Sequence, residues 1–122
     1  SGIWWFKPAA AISKGQTLYL SAADTVSPMS TGNEAKFIGV ALEDASAANT
    51  PSLISVALKG CGKVVKVTGN GTVTLNALCI AADAGKVADW PGTPAVADIP
   101  KVVGKVLQAG SADGDNILVV LC

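Results

Sequence analysis

Two stretches of this chain repeat each other. IGVALEDASA, Ile38–Ala47, lines up with VGKVLQAGSA, Val103–Ala112. Gly39 matches Gly104, Leu42 matches Leu107, and Ser46-Ala47 matches Ser111-Ala112. Each copy continues through a short polar loop into an apolar strand signal, ISVAL (Ile54–Leu58) or ILVVL (Ile117–Leu121). Upstream, LYLSAAD (Leu18–Asp24) resembles LCIAAD (Leu78–Asp83). Such a repeat makes each half one supersecondary unit. The expectation is that one unit cannot close its own sheet, and that two together cover each other's apolar faces. Gly39 and Gly104 lie inside strand signals, where glycine marks a bulge, a bend or a close backbone approach. The match puts the same corner in both halves.

The repeated unit is β. Short strand signals bounded by turn residues run through Gln16–Ser21, Lys36–Leu42, Leu53–Leu58, Lys63–Thr68, Thr72–Leu78, Lys101–Leu107 and Ile117–Leu121. Asn70-Gly71, between KVVKVT and TVTLNAL, is the strongest local hairpin signal. Asp44–Ala48 and Leu78–Ala82 are Ala-rich enough for a turn of helix, but no stretch keeps helical periodicity over a useful length. The spacing predicts an all-β fold: a compact small barrel or sandwich built from two related β units. The units span roughly residues 12–60 and 72–122 of a single domain, 12–122, with an extended N-terminal arm at 1–11. A chain of 122 residues is long enough to bury a real core.

The arm holds half of the chain's aromatic residues in three consecutive positions, Trp4, Trp5 and Phe6. A small domain normally spreads its aromatics through the core. Ile3, Trp4, Trp5 and Phe6 are therefore the candidate protein-interface residues: an arm, stiffened by Pro8, that lies on a neighbouring molecule. The competing reading folds the arm back as a cap on its own barrel. The Pro-rich stretch Trp90–Pro100 reads as an ordered surface loop, with Trp90 either a plug beneath it or a second contact point.

Catalytic chemistry is thin. There is no histidine, the commonest general base and metal ligand. Gly60-Cys61-Gly62-Lys63 lacks the glycine spacing and the hydroxyl residue of a phosphate loop. Glu43-Asp44 reads as solvated or interfacial loop residues, since neighbours on a strand point apart and the second half has Gln108-Ala109 there. Cys61, Cys79 and Cys122 match no zinc or C-x-x-C pattern; they read as free thiols, with a disulfide through Cys122 as the alternative. Asn70-Gly71-Thr72 fits a glycosylation sequon, but a turn explains it better. No enzyme, cofactor or metal site is expected. Zero net charge argues against a nucleic-acid partner and gives no electrostatic reason for membrane binding. No apolar run reaches membrane-spanning length, and the first twelve residues lack a signal-peptide core, so synthesis in a cytoplasm is expected.

KFIGVALEDASA, followed by a strand and then Gly62-Lys63-Val64, is similar to the small capsid cement, or head-decoration, proteins of tailed bacteriophages. Lys14–Leu20, Val103–Leu107 and Ile117–Leu121 carry further phrases of that family, so the resemblance runs from about Ile12 to Cys122. The aromatic cluster and Trp90–Pro100 depart from it. The resemblance implies a structural protein on the outer surface of a phage head, made in the host cytoplasm. Its implied partners are the major capsid protein and itself, as a homotrimer at three-fold or quasi-three-fold sites. A β binding module of a phage tail or adhesin, recognising host glycans, is the competing class; it lacks polar clusters beside Trp4, Trp5 and Trp90.

Overall fold

The computed structural model describes residues 2–122. Its ten strands form two closed five-stranded barrels. Barrel one holds β1 (Ile3–Pro8), β2 (Thr17–Ala22), β3 (Thr25–Pro28), β4 (Phe37–Ala41) and β5 (Ile54–Leu58). Barrel two holds β6 (Val64–Asn70), β7 (Leu78–Ala82), β8 (Lys86–Asp89), β9 (Val102–Gln108) and β10 (Asp113–Leu121). The strand orders are β1-β3-β2-β4-β5 and β10-β6-β8-β7-β9, and every neighbour pair of one has its counterpart in the other. Even the parallel pairing recurs: β1 with β3, β6 with β8.

The repeat is thus a whole barrel, and the expectation that one unit leaves its sheet open is corrected. Closing each sheet on itself removes its edges. Burial alternates as a barrel wall requires: Val65, Val67 and Gly69 of β6 face inward, as do Ile117, Val119 and Leu121 of β10. Each of the buried Val, Ile and Leu side chains contributes about 1.5–3 kcal/mol on burial. The units do share surface in a second way. Met29, Phe37, Val40 and Ala57 of barrel one belong to the same buried cluster as the barrel-two core.

Gly39 and Gly104 do what the repeat requires of them. Gly39 pairs with Leu58 and Leu18; Gly104 pairs with Leu121 and Cys79. One residue beyond each, the register to the neighbouring strand shifts, between Leu18 and Tyr19 and between Cys79 and Ile80. A Cβ on Gly39 would overlap the carbonyl oxygen of Ala57, and one on Gly104 that of Val120. The bulge needs glycine in both barrels.

The N-terminal arm is also corrected. Ile3–Pro8 is a barrel strand, with Ile3 opposite Ala57 and Phe6 opposite Ile54; Ser1 lies outside the described residues. Its counterpart is KVVKVT: Ile3 aligns with Val64, Trp5 with Lys66 and Phe6 with Val67, each reading against the same position of the closing strand. The units therefore begin at β1 and β6, ahead of Ile12 and Thr72. Two bulky residues side by side hid the alternation. The Asn70-Gly71 hairpin does not form: β6 pairs with β10 over six positions and with β8 instead. Long-range barrel closure overrides the local turn preference. Of Thr72–Leu78 only Val73 bridges, to Gly110, and the strand begins at Leu78. Leu78–Ala82 is that strand and not a turn of helix, and Asp44–Ala48 is irregular apart from the bridges of Ala45 to Ile12 and of Ala47 to Thr50. β3 and β8, four residues each, carried too little pattern to be read.

Candidate interaction surfaces

Strand β1 sorts the four expected contact residues. Phe6 is buried in the barrel-one core with Leu18, Val26 and Ile54, which corrects its reading as a contact residue. Trp4 and Trp5 are 59% and 51% exposed, and Ile3 is half-buried. Neighbours on a strand point apart, so Trp4 shares the inward parity of Phe6 and is exposed at the end of the barrel, while Trp5 lies on its outer wall. Pairing with β5 holds both tryptophans, and β3 joins the strand at Lys7 and Pro8. Leu53, also exposed, immediately precedes the strand that pairs with β1.

The barrels meet end on side. The β7–β8 turn of barrel two rests on the flank of barrel one. Thr17 Oγ1 donates to the Lys86 carbonyl (3.0 Å), and the Gly85 amide donates to the Met29 carbonyl (3.0 Å). The Thr31 amide donates to Asp83 Oδ1 (3.1 Å). The flank beneath is the cross-strand row Thr17–Val40–Ala57, all fully buried. Beside this contact lies a cleft of about 500 Å³, walled by Val40, Ala41 and Leu42 on one side and Val64, Val65 and Leu118 on the other. Lys14 and Lys66 also line it.

The remaining polar groups hold loops. Glu43 Oε2 accepts from both the amide (2.8 Å) and the hydroxyl (2.7 Å) of Ser55, bonds that hold its carboxyl below the usual range. Asp44 Oδ1 accepts from the Lys14 amide (2.6 Å). Asp115 accepts from the amides of Ser111 and Ala112, which lower its pKa in the same way. Glu43 and Asp115 each tie a loop to a barrel strand, and Asp44 ties two loops together. Burial pushes the Cys79 thiol up to about 12, so it packs as an apolar side chain. Cys61, Cys79 and Cys122 are all unpaired thiols. Among the described residues there is no group of three metal-ligating side chains and no helix long and apolar enough to cross a membrane.

Trp90 is half-buried, and its amide donates to the Leu78 carbonyl (3.2 Å) as the Met29 amide donates to that of Thr17 (2.8 Å). Trp90 therefore occupies in barrel two the place of Met29 in barrel one. The loop after it ends in a 3-10 turn, Val96–Lys101, that exposes Val96 and Ile99.

Residues 1–59 match the family described as phage cement protein. That span ends one residue past β5, so it covers barrel one. The match begins at the first residue and includes the aromatic cluster, which the resemblance read from the sequence had set aside. Among solved structures, the N base of head fiber gp8.5 of bacteriophage phi29 matches with a TM-score of 0.67 at 12% identity. The alignment covers 98% of this chain and 92% of that one, so the two-barrel architecture as a whole is shared. No curated protein matches.

Proposed function

We propose that this chain is a structural protein of a tailed-phage head, a decoration protein that binds the outer surface of the shell and stabilises it. The observation that carries this reading is the cement-family match over barrel one, joined to two exposed tryptophans, Trp4 and Trp5, on a strand of that same barrel. Its partners on this reading are the major capsid protein and further copies of itself, assembled as a homotrimer at three-fold or quasi-three-fold sites. Ile3, Trp4 and Trp5 form the contact with the neighbouring copy, and the assembled copies together hold the shell. A rigid barrel suits the task, because ordering a preformed strand at an interface costs little conformational entropy.

Stabilisation follows from linkage. A protein that binds only the assembled shell adds its binding free energy to that state, about 2.7 kcal/mol per site at a hundredfold excess over Kd. The test is the melting of purified shells lacking the protein, with and without added protein, by scanning calorimetry. A saturable rise in shell melting temperature is expected. An unchanged shell transition at saturating protein contradicts the proposal.

A further inference from the structure

We propose that copies of this chain associate head to tail, the end of barrel one in one copy docking on the flank of barrel two in the next, as barrel two docks on barrel one within the chain. The inference rests on the self-association part of the proposed function and not on the shell. The internal contact is heterologous: an end meets a flank. The flank of barrel one is the row Thr17–Val40–Ala57. The end of barrel two supplies Val65 and the Asp83–Lys86 turn. A contact between unlike faces uses only one face of each barrel. The end of barrel one and the flank of barrel two are left over.

Register identifies those unused faces. The counterpart of Thr17–Val40–Ala57 is Leu78–Lys105–Val120, paired in the same order across β7, β9 and β10. Leu78 is 37% exposed where Thr17 is fully buried, and Leu107 is 44% exposed where Leu42 is packed against the core. The counterpart of Leu75 is Lys14, since the Asn76 amide bonds the Val106 carbonyl as the Gly15 amide bonds that of Ala41; Leu75 is exposed too. At the other end, Trp4 takes the place of Val65, which is only 7% exposed. The turn Ala22–Asp24 takes the place of Asp83–Gly85 and is exposed. Asp24 and Gly85 share the left-handed conformation, φ 53° and 71°, so the free turn presents its backbone as the docked one does.

The sequence differences between the faces fit this occupant. All three tryptophans fall on the two unused faces: Trp4 and Trp5 at the end of barrel one, and Trp90, in the place of Met29, beside the flank of barrel two. Tryptophan is the residue most enriched at the energetic centres of protein contacts. Lys105 replaces Val40, whose cleft neighbour Val65 is replaced by Trp4, so docking sets a cation against an aromatic ring. The occupant is accordingly a second copy of this chain.

A heterologous contact has a signature that a self-complementary one lacks. One variant carries Trp4→Asp and Trp5→Asp, the other Leu78→Glu and Leu107→Glu; circular dichroism checks that each is folded. Sedimentation equilibrium of the purified proteins, with no shell present, reads the mass. The wild type is expected above 12.2 kDa and each variant alone at 12.2 kDa. An equimolar mixture of the variants is expected to form a dimer that grows no further, because each retains the face the other has lost. Should the charged variants unfold, Trp4→Ser and Leu107→Ser serve in their place. A wild type that stays monomeric up to its solubility limit overturns the inference. So does a variant that assembles alone, or a mixture with no heterodimer where the wild type assembles. Shell binding can fail while this association holds, and the reverse, so the two readings are separable.

Discussion

The double variant Trp4→Ala, Trp5→Ala is expected to bind phage shells about a thousandfold more weakly than the wild type, while the free protein melts almost unchanged. Both indoles are more than half exposed, so truncating them opens no cavity in barrel one. Phe6, the aromatic of this strand that does fill the core, is untouched. Aromatic anchors at the centre of a contact cost roughly 2 kcal/mol or more each when truncated. Two such losses come to about 4 kcal/mol, or three decades of Kd, before any non-additivity. Binding is read by co-sedimentation with shells and stability by thermal unfolding of the soluble protein. The opposite result, unchanged binding with a markedly lower melting temperature, would return the tryptophans to the capping role weighed at the start.

The second large effect concerns the corners. Gly104→Val is expected to destabilise the fold by about 3 kcal/mol, lowering its melting temperature by roughly 12 °C. The new Cβ would run into the backbone oxygen of Val120 and meet Val119 Cγ1 at 2.8 Å. The obstacle is mainly main chain of the paired strand, which cannot swing aside as a side-chain tip can. Gly39→Val meets the same obstacle, Ala57 and Val56, and should cost a similar amount. Gly92→Ala is the control, since it has open space around it and should change stability by less than about 0.5 kcal/mol. A Gly104→Val protein that melts with the wild type would remove the argument that the bulge requires glycine.

The corners were legible because glycine inside a strand has few explanations, and here the flanking residues repeat with it. The β class and the repeat were legible for the same reason. What stayed hidden was where a unit begins. IWWFKP and VVKVTG occupy the same strand position but share no residue at any matched place, so the barrel, not the text, reveals their equivalence. The false hairpin at Asn70-Gly71 has a related cause: turn chemistry is local, whereas closure to β10 spans more than forty residues. Of the candidate contact residues, the aromatic cluster was visible by composition alone. Its division into buried Phe6, exposed Trp4 and exposed Trp5 depends on strand parity for Trp5 and on position along the barrel for Trp4, and neither could be assigned before the strand was known. The flank of barrel two was invisible in sequence, because Leu75, Leu78 and Leu107 read as ordinary strand apolars. Only comparison with their covered counterparts marks them as unused surface.

The central claim, that this chain decorates a phage shell, is tested most directly by its copy number in purified particles, measured by quantitative mass spectrometry against the major shell protein. A lattice-wide decoration protein predicts a ratio of about one to one, set by the symmetry of the shell. A few copies per particle, as at a tail or a single vertex, or none at all, would contradict it.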